Sequence, residues 1–109
     1  MHGTVDNNPL SEQFRLAGKD WSEKESAAQM LEQSKTAVLS QRMNALGDMP
    51  TTKAERLVKA TPEWREYISE MVKAREAANF ARVNKEFVKM KYHEWQSMNA
   101  SRRAEMRMG

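Results

Sequence analysis

After Pro62 the chain meets no further glycine or proline until Gly109. Nothing in between removes a helical hydrogen bond or offers an easy left-handed exit, so the literal expectation is one helix over residues 62–108, about 68 Å long at the α-helical rise. That is well beyond the few turns usual in a globular core. Such a helix has to find its burial along its side, against whatever the rest of the chain or another chain supplies. Asn79 and Asn84, both weak helix formers, mark where a break would fall.

The remaining punctuation divides the first 61 residues. Asn8-Pro9 and Gly18 bracket a short helix in an N-terminal segment, residues 1–19, with Leu10, Phe14 and Leu16 as its apolar residues. Asp20 with Glu23, or Ser22 with Glu25, has the spacing of a reciprocal cap that opens a long helix over residues 20–46, closed by Gly47. Gly47-Asp48-Met49-Pro50 breaks it, and Thr52 with Glu55 opens a short helix inside a linker, residues 47–61. Thr61-Pro62-Glu63 starts the last one. No segment alternates apolar and polar residues between turn dipeptides. The expected fold is all-α, a single helical domain over residues 1–109 in which the two long helices form an antiparallel hairpin completed by oligomerisation.

Composition is the reason for that last clause. Leu, Ile, Val and Phe number 16, about 15% of the chain, below the roughly 20% that marks a chain able to pack a core. The net charge of only +3 argues against disorder, and 13 Ala, 9 Met and 3 Trp suit helices packed closely on one another. On a helical wheel Trp21, Ala28, Leu31, Val38, Leu39 and Leu46 share one side, and Ala27, Met30, Ser34, Ala37 and Ala45 form a second, small-residue stripe. Trp64, Tyr67, Ile68, Met71, Ala74 and Ala78 form the matching side of the last helix. Beyond Ala78 the apolar residues divide into two flanks, Phe80, Val83, Phe87 and Met90 on one and Ala81, Val88, Tyr92 and Trp95 on the other. One hairpin cannot hide both, so Phe80, Val83, Phe87, Val88, Met90, Tyr92 and Trp95 are the candidate homo-oligomer interface.

Charge is unevenly placed. Residues 71–109 carry nine Lys or Arg against four Asp or Glu, whereas residues 1–70 are slightly acidic. Arg75, Arg82, Lys85, Lys89, Arg103 and Arg107 fall between the two flanks, and as a rigid ridge they are candidate contacts to a DNA or RNA backbone, with Tyr92 or Trp95 stacking on unpaired bases. The same spacing also fits a solvated face pairing with Glu76, Glu86, Glu94 and Glu105.

Other classes find little support. Without cysteine there is no disulfide framework, thiolate zinc site or cysteine nucleophile. His2 and His93 are the whole histidine inventory, and no phosphate loop, nucleophile elbow or His-x-x-x-His pair occurs. Glu86, His93 and Glu94 read as surface residues, and Glu63, Glu66 and Glu70 as charge favoured at the positive end of a helix. The expectation is therefore a non-enzyme with no catalytic residue, metal or cofactor. No apolar run reaches the length of a membrane span and the N-terminus lacks the pattern of a leader, so a cytoplasmic protein that does not bind membranes is expected.

The Ala-rich basic run over residues 73–108, with its Glu94-Trp95 pair and its Arg102-Arg103-Ala104-Glu105 ending, resembles small helical proteins of uncertain function encoded by bacteriophages and prophages, sometimes among recombination genes. The resemblance implies a bacterial host cell and service to DNA metabolism, and brings no catalytic residue with it. Two functions are thus set against each other: an oligomeric nucleic-acid-associated accessory protein, and a scaffold or inhibitor that binds a host or phage protein.

Overall fold

The computed structural model describes residues 9–108, and among these all regular structure is helical. Helix α1 spans Leu10–Ala45, α2 spans Thr51–Lys59 and α3 spans Pro62–Met108. The expected cap at Asn8, like His2, lies outside the described residues.

The uninterrupted last helix forms as the sequence dictates. Its first turn is capped by Thr61, whose Oγ1 accepts a hydrogen bond from Trp64 N at 3.2 Å and donates one to Val58 O at 2.6 Å. Pro62 follows at the first helical position, where its missing N–H costs nothing. Neither Asn79 nor Asn84 breaks α3. Both are exposed, and their weak propensity amounts to less than about 1 kcal/mol each.

Three expectations about the first half are corrected. There is no separate short helix ending at Gly18 and no new start at Asp20 or Ser22, since α1 runs through all of them. A glycine ends a helix by turning left-handed, and of the two described glycines Gly47 does so, at φ 91°. Gly18 costs the helix about 1 kcal/mol relative to alanine, offset where the same face buries Ala17 and half-buries Phe14 and Trp21. Helix α2 begins at Thr51 behind Pro50, without the side-chain cap expected of Thr52. It is too short to stand alone and is held by burying Ala54 and Val58.

Among the described residues the contacts fall into two compact units, residues 23–78 and residues 9–22 with 79–108. In the first, Tyr67 Oη of α3 donates to Leu31 O of α1 at 2.5 Å, and Arg75 of α3 pairs with Glu25 further back along α1. Numbers rise along one helix as they fall along the other, so the paired segments are antiparallel there. Ala28, Ala54, Val58, Trp64 and Ala78 form the buried core of this unit, with Trp64 stacked on Tyr67 at 5.7 Å. In the second unit Ala17 and Ala81 are buried, Phe14 meets Tyr92 at 6.2 Å, and Lys85 lies over Trp21.

The buried face of α3 follows one rule along its length. Trp64, Tyr67, Met71, Ala74, Ala78, Ala81, Lys85, Val88 and Tyr92 are all buried or half-buried and succeed one another by alternate steps of three and four, the spacing of a coiled-coil seam. On α1 the expected stripe of Trp21, Ala28, Leu31, Val38 and Leu39 is buried or half-buried, whereas Leu46 is exposed. The second, small-residue stripe, which could admit another helix, is not covered within the described residues: Ala27, Met30, Ala37 and Ala45 are exposed and Ser34 is half-buried.

Candidate functional site

The two flanks of α3 beyond Ala78 separate cleanly. Ala81 is buried, and Val88 and Tyr92 are half-buried, on the side that carries the seam. Tyr92 is held between Phe14 and Trp95, the latter stacked on it at 6.3 Å. Phe80 (78% exposed), Val83 (62%), Phe87 (53%) and Met90 (54%) form the other flank and face solvent. By helical geometry their mean direction is roughly half a turn from the seam. Val88 and Tyr92, counted by sequence among the oligomer interface residues, thus serve the chain's own packing, while Trp95, 51% exposed, sits at the edge.

The proposed basic ridge divides in a similar way. Arg75 is turned toward α1: its Nε and Nη2 each donate to Glu32 at 2.8 Å, a bidentate arrangement, and its Nη1 donates to Glu25 at 2.8 Å. Paired guanidinium and carboxylate of this geometry are among the stronger polar contacts. Lys85 occupies a seam position, its Nζ 4.3 Å from the Trp21 ring centroid and 3.8 Å from a Glu86 carboxylate oxygen. A cation over an indole face is attracted by the ring quadrupole. These two cations are thus engaged within the chain. Arg82, Lys89, Arg103 and Arg107 remain exposed, together with Lys91 and Arg102.

Near the end of α3, Trp95, Gln96, Asn99, Arg102, Arg103 and Met106 line a shallow surface concavity of about 380 Å³. All six come from one helix. A second concavity of about 280 Å³ lies where α1 ends and α3 begins, between Arg42, Ala45, Leu46, Val58, Thr61 and Glu63. Among the described residues no group of three or more His, Asp or Glu is arranged to hold a metal ion, and no helix is long and apolar enough to cross a membrane.

Sequence reasoning placed Trp21 on the side that packs but did not pair it with Lys85, and it did not find Glu25, Glu32 or Phe14 as partners of α3. The three-four spacing that passes through Lys85 as well as through the alanines was the signal that Lys85 belongs to the seam, whereas nothing local marked Glu25 or Glu32. No family model, curated protein or solved structure matches this chain.

The Arg75 network has a direct consequence for stability against pH. The guanidinium hydrogen bonds hold the Glu32 carboxyl below its ordinary value of 4.5, and Arg15 does the same for Glu12 within the first turns of α1. A carboxyl depressed in the folded state adds stability at pH above its unfolded value, and that contribution is lost as pH falls through the depressed one. Thermal unfolding of the parent and of Glu32→Gln, followed from pH 7 to about pH 3, should show the parent more stable at neutrality and the difference closing below pH 4.5. A gap that stays constant into acid would show that the bidentate pair contributes nothing.

Proposed function

We propose that the protein is a non-enzymatic helix-pairing module: α1 and α3 form an antiparallel hairpin, and the face of α3 that the hairpin leaves uncovered binds a helix of another chain. The observation that carries this reading is the stripe of Phe80, Val83, Phe87 and Met90, four large apolar side chains each more than half exposed. Soluble chains rarely present a contiguous apolar patch of this kind unless something covers it. Anchors repeating at i, i+3 and i+7 are the signature of helix-on-helix recognition. The aromatics are hot-spot residues by type, and the seam on the opposite side keeps α3 rigid while it presents them.

A second reading rests on a different set of residues. Arg82, Lys89, Arg103 and Arg107 are exposed on α3, and Arg102 and Arg103 share a concavity with Trp95. That combination of cations with an accessible ring suits a nucleic-acid strand, and a role in phage DNA metabolism would follow. It is the weaker of the two, because Arg75 and Lys85 are committed to partners within the chain and a net charge of +3 is small for the task.

One photo-crosslinking experiment tests the main reading. A benzophenone side chain placed at Phe87 in the producing cell should give protein adducts, whether with further copies or with other chains, that the same group at exposed Thr36 does not give. Equal labelling at the two positions would remove the stripe as a binding surface. For the second reading, DNA affinity should fall steeply with salt, and Arg82→Glu with Lys89→Glu should lower both the affinity and the salt slope while leaving helix content intact. Binding that the double variant leaves unchanged would discard it.

A further inference from the structure

The stripe of α3 carries more information than its exposure. Phe80, Val83, Phe87 and Met90 follow one another by three, four and three, which is two heptads with Phe80 and Phe87 in one core position and Val83 and Met90 in the other. The seam that faces α1 is thus matched, on the opposite side of the same helix, by a second and shorter coiled-coil spacing that no other described helix covers. Glu76 and Glu94 occupy the next core positions before and after, so the apolar run is closed by a carboxylate at each end.

We infer that the occupant of this stripe is a second copy of the chain, paired through α3 in parallel and in register. The inference rests on the helix-pairing reading above and names its partner. Three properties of the stripe select it. The first is charge. Glu86 and Lys91 lie on opposite shoulders of the stripe, five residues apart. In a parallel pair those shoulders meet, so Glu86 of each copy faces Lys91 of the other, and Asn79 likewise faces Asn84. In an antiparallel pair each shoulder meets its own kind, which sets Glu86 against Glu86.

The second property is register. A slip of one heptad would press Phe87 onto Glu94 of the other copy, burying a carboxylate without a partner, which is strongly unfavourable. In register, like carboxylates meet only at the two open ends, where water reaches them. The third is area. The exposed fractions of the four core side chains correspond to roughly 450 Å² per copy, or ~900 Å² for the pair, and the shoulder residues carry the total past the ~1,000 Å² of a specific interface. The Lys91 ammonium lies 5.4 Å from the Phe87 ring centroid, at the edge of the stripe.

The chain contains no cysteine, which makes the orientation directly readable. Val83→Cys and Phe87→Cys replace side chains that are exposed in the single chain, and each variant is checked for unchanged helix content. In a glutathione redox buffer each variant should form its own disulfide dimer, and a mixture of the two should give little of the mixed disulfide that joins one variant to the other. A mixed disulfide that dominates would mean antiparallel pairing and overturn the inference. In sedimentation equilibrium Glu86→Lys should weaken the dimer about fivefold, and Lys91→Glu added to it should restore the affinity. If the purified parent chain stays at 12.6 kDa up to about 100 μM, self-pairing is wrong. Adducts at Phe87 with a different protein would then leave the helix-pairing reading standing, and their absence would end both.

Discussion

The structure depends on helices packed against one another largely through small buried side chains. Of the side chains buried in the two units, Ala17, Ala28, Ala54, Ala78 and Ala81 outnumber Val58 and Trp64. Each alanine removes little apolar surface from water, at about 25 cal/mol per Å², but it gives up no rotamer freedom and has the best helix propensity. Stability of this kind is accumulated along a line rather than in a centre. It explains why the chain invests in long uninterrupted helices, and why a composition too poor in Leu, Ile, Val and Phe for a conventional core still folds. Phe80 and Phe87 fall off the seam, which carries Trp64, Tyr67 and Tyr92 as well as alanines, and they are left on the outside of α3.

The polar contacts follow the same line. Tyr67 reaches across to a backbone carbonyl of α1, Arg75 spans Glu25 and Glu32, and Lys85 covers the Trp21 ring. Each sits at or beside a seam position and fixes the pairing of the segments, which alanine alone specifies weakly. Basic residues that looked interchangeable by charge therefore have two uses. Arg75 and Lys85 hold the chain's own helices, and Arg82, Lys89, Arg103 and Arg107 remain available to a partner. The apolar residues divide in the same manner, with Ala81, Val88 and Tyr92 turned inward and Phe80, Val83, Phe87 and Met90 outward.

Much of this was legible in the residues. The reach of α3 followed from the absence of glycine and proline after Pro62, its start from Thr61-Pro62-Glu63, and the end of α1 from Gly47. That α3 has two apolar flanks was also plain. What the sequence left obscure has identifiable physical causes. Gly18 read as a helix end because glycine is costly inside a helix, yet only a left-handed turn would have made it one. The basic ridge read as a single surface because its members were grouped by charge, although at 3.6 residues per turn Lys85 points in the same direction as Tyr67, eighteen residues earlier, and so lies on the buried face. Glu25 and Glu32 gave no local signal as partners of Arg75, because their pairing depends on which turns of α1 and α3 meet.

The central claim is that the Phe80–Met90 stripe belongs to a partner and the alanine seam belongs to the chain. Helix content and thermal unfolding of Phe80→Ser with Phe87→Ser test it most directly, measured at about 1 μM and below, where the parent chain is itself expected to be monomeric. The double variant should keep the parent's helix content and unfold at the same temperature under those conditions, with any difference emerging only as concentration rises. Loss of helix or an early unfolding transition in the dilute double variant would show that the two phenylalanines hold the single chain together, and would contradict the central claim.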